Sequence, residues 1–260
     1  MKTLILAFCI VLSLSGIAQT LELWPMANEG VMIKVDDQQV IIDGLFKSTY
    51  PKFASTPAST YEQLQKGTPP YDNVEFILAS HKHSDHFTVP EIASVLKSTE
   101  QTQLYVNEEM AEEMRASPMW RMISERVTAF PYAEETTYAP EAISVRTFPI
   151  LHARKKPSEM KNTAHLIAIN GFNVMHVGDA TYGQQDLIDL NLSELDLDVL
   201  ILPYWFVRDQ AGQSFVATNL PARKYFINHI PPAEFKDIVN LLADLPDMVV
   251  MDKEVFRMDK

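Results

Sequence analysis

Short apolar runs with β-branched and aromatic residues, bounded by polar or glycine-containing turns, recur along this chain, and that pattern predicts strands rather than helices. The opening gives three, over 21–24, 31–35 and 40–42, with Asp36-Asp37-Gln38-Gln39 as the polar turn between the last two and Asp43-Gly44 as a stop. Residues 74–80 form an apolar run interrupted by Glu75 and ending at Ser80, with the length and β-branched or aromatic content of a buried strand. Further strands are predicted over 103–106, 126–130, 143–148, 165–169, 173–177, 197–203, 224–227 and 248–251, the last of them closing the chain. Asn170-Gly171 marks a hairpin between two of these. A helical period replaces the strand period over 89–96, entered at Thr88 and Pro90, and over 233–242. Residues 107–115 read as a short acidic helix with Asn107 as its N-cap, and 187–195 as a loose helix. Between 46 and 73 the chain is rich in Pro, Ser, Thr and Tyr without a clear period; a connection that long reads as a functional loop over a site. Strands in both halves, with helices between and after them, predict an α+β fold of two mixed β-sheets packed face to face with helices on the outer faces.

Composition narrows the setting. Residues 1–18 read as a signal peptide: Lys2 supplies the positive start, Leu4 to Leu14 the apolar stretch, and Ser15-Gly16-Ile17-Ala18 the small residues before a cut ahead of Gln19. The stretch falls short of the roughly 20 residues a spanning helix needs, and Cys9 sits inside it behind Phe8, which does not suit lipid attachment. Residues 19–260 are then the mature domain, periplasmic or secreted from a bacterial cell. Removal of residues 1–18 takes away the only cysteine and changes the formal net charge from −12 to −13. The mature chain therefore has no disulfide and no thiolate ligand, and its acidity disfavours binding to nucleic acid through phosphates. A small-molecule substrate is expected, with no membrane contact after cleavage; the sequence leaves the oligomeric state open.

Candidate chemistry is concentrated in His81-Lys82-His83-Ser84-Asp85-His86, at the end of the 74–80 run. The chain has seven histidines in 260 residues, so three within six positions is not background. Imidazole is the commonest metal-binding side chain near neutral pH, and carboxylate is its usual oxygen partner. In an extended segment His81, His83 and Asp85 start on one side. A turn at the strand end would let the first two histidines face one metal and Asp85 and His86 face another, as a two-metal hydrolytic site requires. Taken singly, His152, Asp179 and His229 are ordinary strand-end residues. Beside the cluster they supply a third ligand for each metal and a bridging carboxylate.

In their order and spacing, His81-x-His83-x-Asp85-His86, His152, Gly178-Asp179 and His229 resemble the metallo-β-lactamase superfamily, and Asp43 falls where that family often carries an Asp at a strand end. The resemblance covers nearly the whole mature chain. It implies a four-layer αββα sandwich, a first metal held by His81, His83 and His152, and a second held by Asp85, His86 and His229, with Asp179 bridging. It also implies hydrolysis by a hydroxide shared between two divalent metal ions, with Asp85 orienting it; Zn is the first expectation, with Mn or Fe as alternatives. The segment Met175-His176-Val177-Gly178-Asp179 looks like the branch acting on lactones and phosphoesters. His165 and His176 sit within strand patterns and are expected to be structural. The missing cysteine disfavours the β-lactamase subclass with a Cys ligand. Nothing resembles the glutathione-binding extension of the glyoxalases or the tRNA-gripping insertion of the tRNA 3′-processing nucleases.

For substrate contacts, Arg154-Lys155-Lys156 is a basic run close to His152 in an acidic chain, and Arg154 is the candidate for an anionic group. Tyr182, Tyr204 and Trp205 follow strand ends and are candidates for the pocket wall. The leading expectation is a dinuclear metallo-hydrolase of an ester, lactone or phosphodiester-type bond. The alternatives are an iron redox enzyme of the mononuclear sulfur-dioxygenase kind, or a non-catalytic metal-binding protein on the same scaffold. A di-iron oxygen reductase would need a flavin domain, for which the chain has no room.

Overall fold

The computed structural model describes residues 19–47, 53–139, 143–153, 156 and 159–260. The signal-peptide expectation for 1–18 and Arg154 both lie outside the described residues.

Alternating residues build two seven-stranded sheets. The first takes β1 (Thr20–Pro25), β2 (Val31–Val35), β3 (Gln38–Ile42), β4 (Val74–Leu78), β5 (Gln103–Asn107) and β6 (Val127–Phe130). The second takes β7 (Thr136–Tyr138), β8 (Ile143–Leu151), β9 (Lys161–Ile169), β10 (Phe172–His176), β11 (Val199–Pro203), β12 (Lys224–Asn228) and β13 (Met248–Val250). A last strand, β14 (Phe256–Asp259), returns to the first sheet and pairs antiparallel with β1, so that Thr20 lies opposite Asp259. The spatial orders are 14-1-2-3-4-5-6 and 13-12-11-10-9-8-7, each sheet mixing parallel and antiparallel pairs.

The period of two sorts side chains into layers. Leu21, Leu23, Ile33, Val40, Ile42, Phe76 and Leu78 of the first sheet meet Val145, Ile167, Val174, Ile201 and Phe226 of the second in the central layer. Their neighbours Met32, Ile41 and Ile77 face the other way, onto α1 (Ala58–Lys66), α2 (Val89–Ser98), α3 (Glu108–Arg115) and α4 (Trp120–Ile123). On the far side Leu166, Met175, Leu200, Leu202 and Ile227 pack against α5 (Gln185–Asp189), α6 (Gln210–Asn219) and α7 (Phe235–Leu242). The result is a four-layer αββα sandwich, and each fully buried Leu, Ile or Val contributes about 1.5–3 kcal/mol.

Some elements differ from the sequence expectation. The 36–39 turn is only Asp36-Asp37, because Val35 pairs directly with Gln38; Asp36 takes the positive φ of 53° that a two-residue hairpin demands. The 46–73 segment contains α1, whose buried Thr60, Tyr61 and Leu64 are too few to register as a helical period. Similarly, α6 buries only Gly212 and Val216 and is held at its start by the Asp209 side chain, which accepts from Gly212 N at 2.8 Å. The loose helix over 187–195 divides into α5 and a 3-10 turn, Leu192–Glu194, because Asn191 turns left-handed at φ 48°. The 248–251 strand does not close the chain; β14 does. Asn107 caps α3 as expected, accepting from Glu109 N and Met110 N. Among the described residues no helix is long and apolar enough to cross a membrane.

His165 and His176 face each other across β9 and β10, both buried. Burial pushes the His165 imidazole down to about 4, and neither ring nitrogen finds a hydrogen-bond partner among the described residues. Between pH 6.5 and 4 the unfolded chain therefore binds a proton that the folded chain refuses, so stability falls as pH drops through that window, by about 3 kcal/mol at most. In metal-free protein, His165→Leu should flatten this acid limb; urea unfolding at pH 7, 5.5 and 4.5 checks it, and an unchanged slope would refute it.

Candidate metal centre

Several strand ends reach one edge of the sandwich. The β1–β2 turn, the C-terminal ends of β3 and β4, and the ends of β8, β10 and β12 bring Glu29, Asp43, 80–86, His152, Asp179 and His229 together there. After β4 the backbone turns: His86 N and Phe87 N both donate to His83 O, at 2.9 and 2.8 Å. That turn separates the cluster into two groups.

In the first group, His81 Nε2 lies 2.8 Å from His83 Nδ1, and His152 Nε2 lies 3.2 Å from the same atom. Asp179 Oδ2 is 3.4 Å from His152 Nε2 and 3.9 Å from His81 Nε2. The second group is Asp85, His86 and His229. Here Asp179 Oδ1 lies 3.4 Å from both His86 Nε2 and His229 Nε2, and Asp85 Oδ2 is 3.9 Å from His229 Nε2. One oxygen of Asp179 thus faces each group. A tetrahedral ion with 2.0–2.1 Å bonds has donors about 3.3–3.4 Å apart, and the separations above bracket that edge.

The outer nitrogens fix which ring atoms carry protons. Ser80 Oγ spends its hydrogen on Asp43 Oδ2 at 2.6 Å, so it accepts from His81 Nδ1–H at 3.0 Å. His86 Nδ1–H donates to Asp43 Oδ2 at 2.8 Å, and His152 Nδ1–H to Ala153 O at 2.8 Å. The Nε2 lone pairs of all three rings then point inward. His86 Nε2, His229 Nε2 and Asp179 Oδ1 are buried without any hydrogen-bond partner among the described residues. Each such orphan costs about 1–3 kcal/mol; converging lone pairs of this kind fit a cation and no hydrogen-bond network.

Electrostatics agree with an anionic pocket. Burial works against charge on Asp179, yet the adjoining His229 and His86 hold its carboxyl well below the usual range. Asp43 is fully buried and held low in the same way, chiefly by His86. Burial pushes the Glu29 carboxyl up to about 7 against the opposing pull of His229 and His86.

Asp179 is placed by backbone geometry. Gly178 has φ +54°, and a Cβ there would sit 2.3 Å from Asn162 Oδ1 and 2.7 Å from Ser80 Cβ. Asn162 accepts from Asp179 N at 3.2 Å and donates to Val177 O at 3.1 Å. His176 Nδ1 accepts from Gly178 N at 3.0 Å, so this histidine supports the turn.

The aromatic candidates go to different places. Trp205 packs edge-on against His229 with centroids 4.9 Å apart and donates to Ala180 O. Tyr204 turns its hydroxyl to Glu234 at 3.3 Å, and Tyr182 donates to Asp209 at 3.0 Å. Phe53, from the 46–73 segment, packs edge-on against His229 at 4.9 Å. The sequence reading did not find Glu29, Ser80, Asn162 or Phe53, and no local pattern marks them. A mostly apolar groove of about 560 Å³ shares a wall with this corner through Asn28 and Asn228.

A family model described as the beta-lactamase superfamily domain matches residues 39–251. The chain belongs to that superfamily. Solved structures of low identity share the fold. The metallo-beta-lactamase fold protein YhfI from Bacillus subtilis is 15% identical with a TM-score of 0.62, covering 94% of this chain and 100% of that one. A metallo hydrolase from the archaeon Ignicoccus hospitalis is 17% identical with a TM-score of 0.63, covering 92% and 98%. The diiron β-hydroxylase CmlA from Streptomyces venezuelae is 12% identical with a TM-score of 0.57, covering 93% of this chain and 54% of that one. Among curated proteins none matches this sequence.

Gly178→Ala should force Asn162 or Ser80 aside and move the Asp179 carboxylate. The expected result is a stability loss of about 1–3 kcal/mol and a reduced metal content by elemental analysis. Wild-type metal content in a folded G178A protein would show that this turn does not set Asp179.

Proposed function

We propose that this chain is a dinuclear metal-dependent hydrolase acting on an ester, lactone or phosphodiester-type bond of a small molecule. The observation that carries the reading is the division of Asp179 between two donor groups, one oxygen 3.4 Å from His152 Nε2 and the other 3.4 Å from His86 and His229. His81, His83, His152 and Asp179 would hold one cation; Asp85, His86, His229 and Asp179 would hold the other. Bound there, two divalent ions supply Lewis acidity that lowers the pKa of water from 15.7 to about 7 and polarises a carbonyl or phosphoryl oxygen. Zinc suits a nitrogen and oxygen donor set without thiolate, and manganese or iron suits it as an alternative.

The protein's own contributions follow from the side chains. Asp85, mostly buried, orients the attacking water and accepts its proton at a carboxylate oxygen. Asp43 and Ser80 keep His86 and His81 on the tautomers that turn lone pairs inward. Phe53 and Trp205 cover His229 and exclude bulk water from the second group. Arg154 attracts an anionic part of the substrate, and Tyr182 and Tyr204 belong to the wider pocket wall. The iron redox reading draws support from the likeness in fold to CmlA, but a mononuclear sulfur dioxygenase leaves the convergence of Asp85, His86 and His229 without a purpose. Export is part of the proposal, with a mature chain beginning at Gln19; intact-mass measurement of protein from the periplasm checks it, and a retained Met1 start would refute it.

Elemental analysis should find two zinc ions per chain, against one iron for the dioxygenase alternative. Hydrolysis on a panel of lactones, aryl phosphodiesters, thioesters and β-lactams should disappear with a chelator and fall at least 100-fold in His83→Ala. Activity unchanged by both would remove the hydrolase reading. Arg154→Ala should raise KM for anionic substrates while leaving kcat close to wild type; an unchanged KM for every substrate would end that assignment.

A further inference from the structure

Both groups have outer partners, and they differ in charge. In the first group the outer nitrogens of His81 and His152 rest on a hydroxyl and a backbone carbonyl. In the second, both histidines face fully buried carboxylates: His86 Nδ1 donates to Asp43 at 2.8 Å, and His229 Nδ1 lies 3.4 Å from Glu29 Oε1, at ion-pair distance. Glu29 is itself built into place. Asn28 donates its side-chain amide to Oε1 at 2.9 Å. The Asn228 amide donates to the Glu29 carbonyl at 2.8 Å, and His229 N donates to the Asn28 carbonyl at 2.9 Å. The β1–β2 turn and the end of β12 are thus locked together, with the carboxylate against the imidazole. Gly30 beside it cannot take a side chain, since a Cβ would sit 2.2 Å from Gly44 Cα, so the close approach of the two turns is fixed by the backbone.

Glu29 Oε2 and His229 Nδ1 have no hydrogen-bond partner among the described residues. A buried acid of this kind stays in a fold when something holds its charge, and the groups at hand are His229 and the cation that His229 would bind.

We propose that Glu29 is a positioning residue for the second cation: its carboxylate keeps His229 on the Nδ1–H tautomer, with Nε2 turned inward, and raises the basicity of that ring. This rests on the dinuclear reading above. It goes further by making occupancy of the second group, and not the first, depend on an acid that lies two hundred positions from His229 in the sequence. Outer-shell partners of metal-bound histidines typically change metal affinity 10–100-fold.

The test is zinc titration of metal-free protein by calorimetry, together with ring ¹⁵N NMR of the histidines. Wild type should take up two ions. Glu29→Gln, which keeps the size but removes the charge, should bind one ion with unchanged affinity and the other 10–100-fold more weakly. The His229 ring in metal-free E29Q should shift away from the Nδ1–H tautomer. Asn28→Ala, which frees Oε1 without touching the acid, should weaken the same ion less. It also serves if E29Q fails to fold by circular dichroism. Wild-type affinity for both ions in E29Q, or in N28A where E29Q does not fold, would overturn the assignment. So would equal weakening of both ions in a folded variant, which is what a general loss of structure produces. Should wild type bind a single ion, the dinuclear reading fails, and the tautomer of His229 still decides for or against Glu29.

Discussion

Inward-facing lone pairs are the constraint on which this structure turns. Three imidazole rings are held with their protons on the outer nitrogen, and the inner nitrogens converge with two carboxylates in a pocket where several atoms find no hydrogen-bond partner among the described residues. At about 1–3 kcal/mol for each unpaired buried group, such a cluster costs an appreciable part of a domain's 5–15 kcal/mol of stability. Cation binding at a zinc site is worth about 10–16 kcal/mol in favourable cases, which more than offsets it. A cation held in this centre would therefore stabilise the fold as well as occupy the site.

The sandwich makes that arrangement possible by keeping strain and polarity at one edge. Its interior is three apolar layers, and the strands need only their ends to deliver chemistry. Gly178 permits the close approach of β10's end to Ser80, and Asn162 clamps the turn from the neighbouring strand β9. Asp43 accepts from Ser80 N, Ser80 Oγ and His86 Nδ1 at once, linking β3 to the histidine loop after β4. A single buried carboxylate thereby orients two rings belonging to different donor groups, His86 directly and His81 through Ser80. The two groups are consequently not equivalent: the second has more carboxyl groups around it, Asp85, Asp43 and Glu29.

Much of this was legible along the chain because it is encoded locally. The short apolar runs of β1 to β5 and β8 to β12, and the strand-ending dipeptides, are short-range signals. So is the six-residue histidine cluster, since its residues are neighbours before folding. What failed to register was weakly patterned or depended on distant partners. Helices α1 and α6 bury too few apolar residues to show a helical period, and β14 becomes a strand by pairing with β1 at the opposite end of the chain.

By itself, the sequence determined the layered α+β architecture and the residue types able to ligate a metal, because hydrophobic periodicity and donor chemistry are properties of the residues themselves. Only the tertiary structure decided that Asp179 faces both groups, that Phe53 and Trp205 are the aromatics lying on His229 while Tyr182 and Tyr204 bond elsewhere, and that Glu29 stands behind that histidine. Those relations are distances between residues far apart in the chain, and they exist only once burial of the apolar layers has fixed where each strand ends.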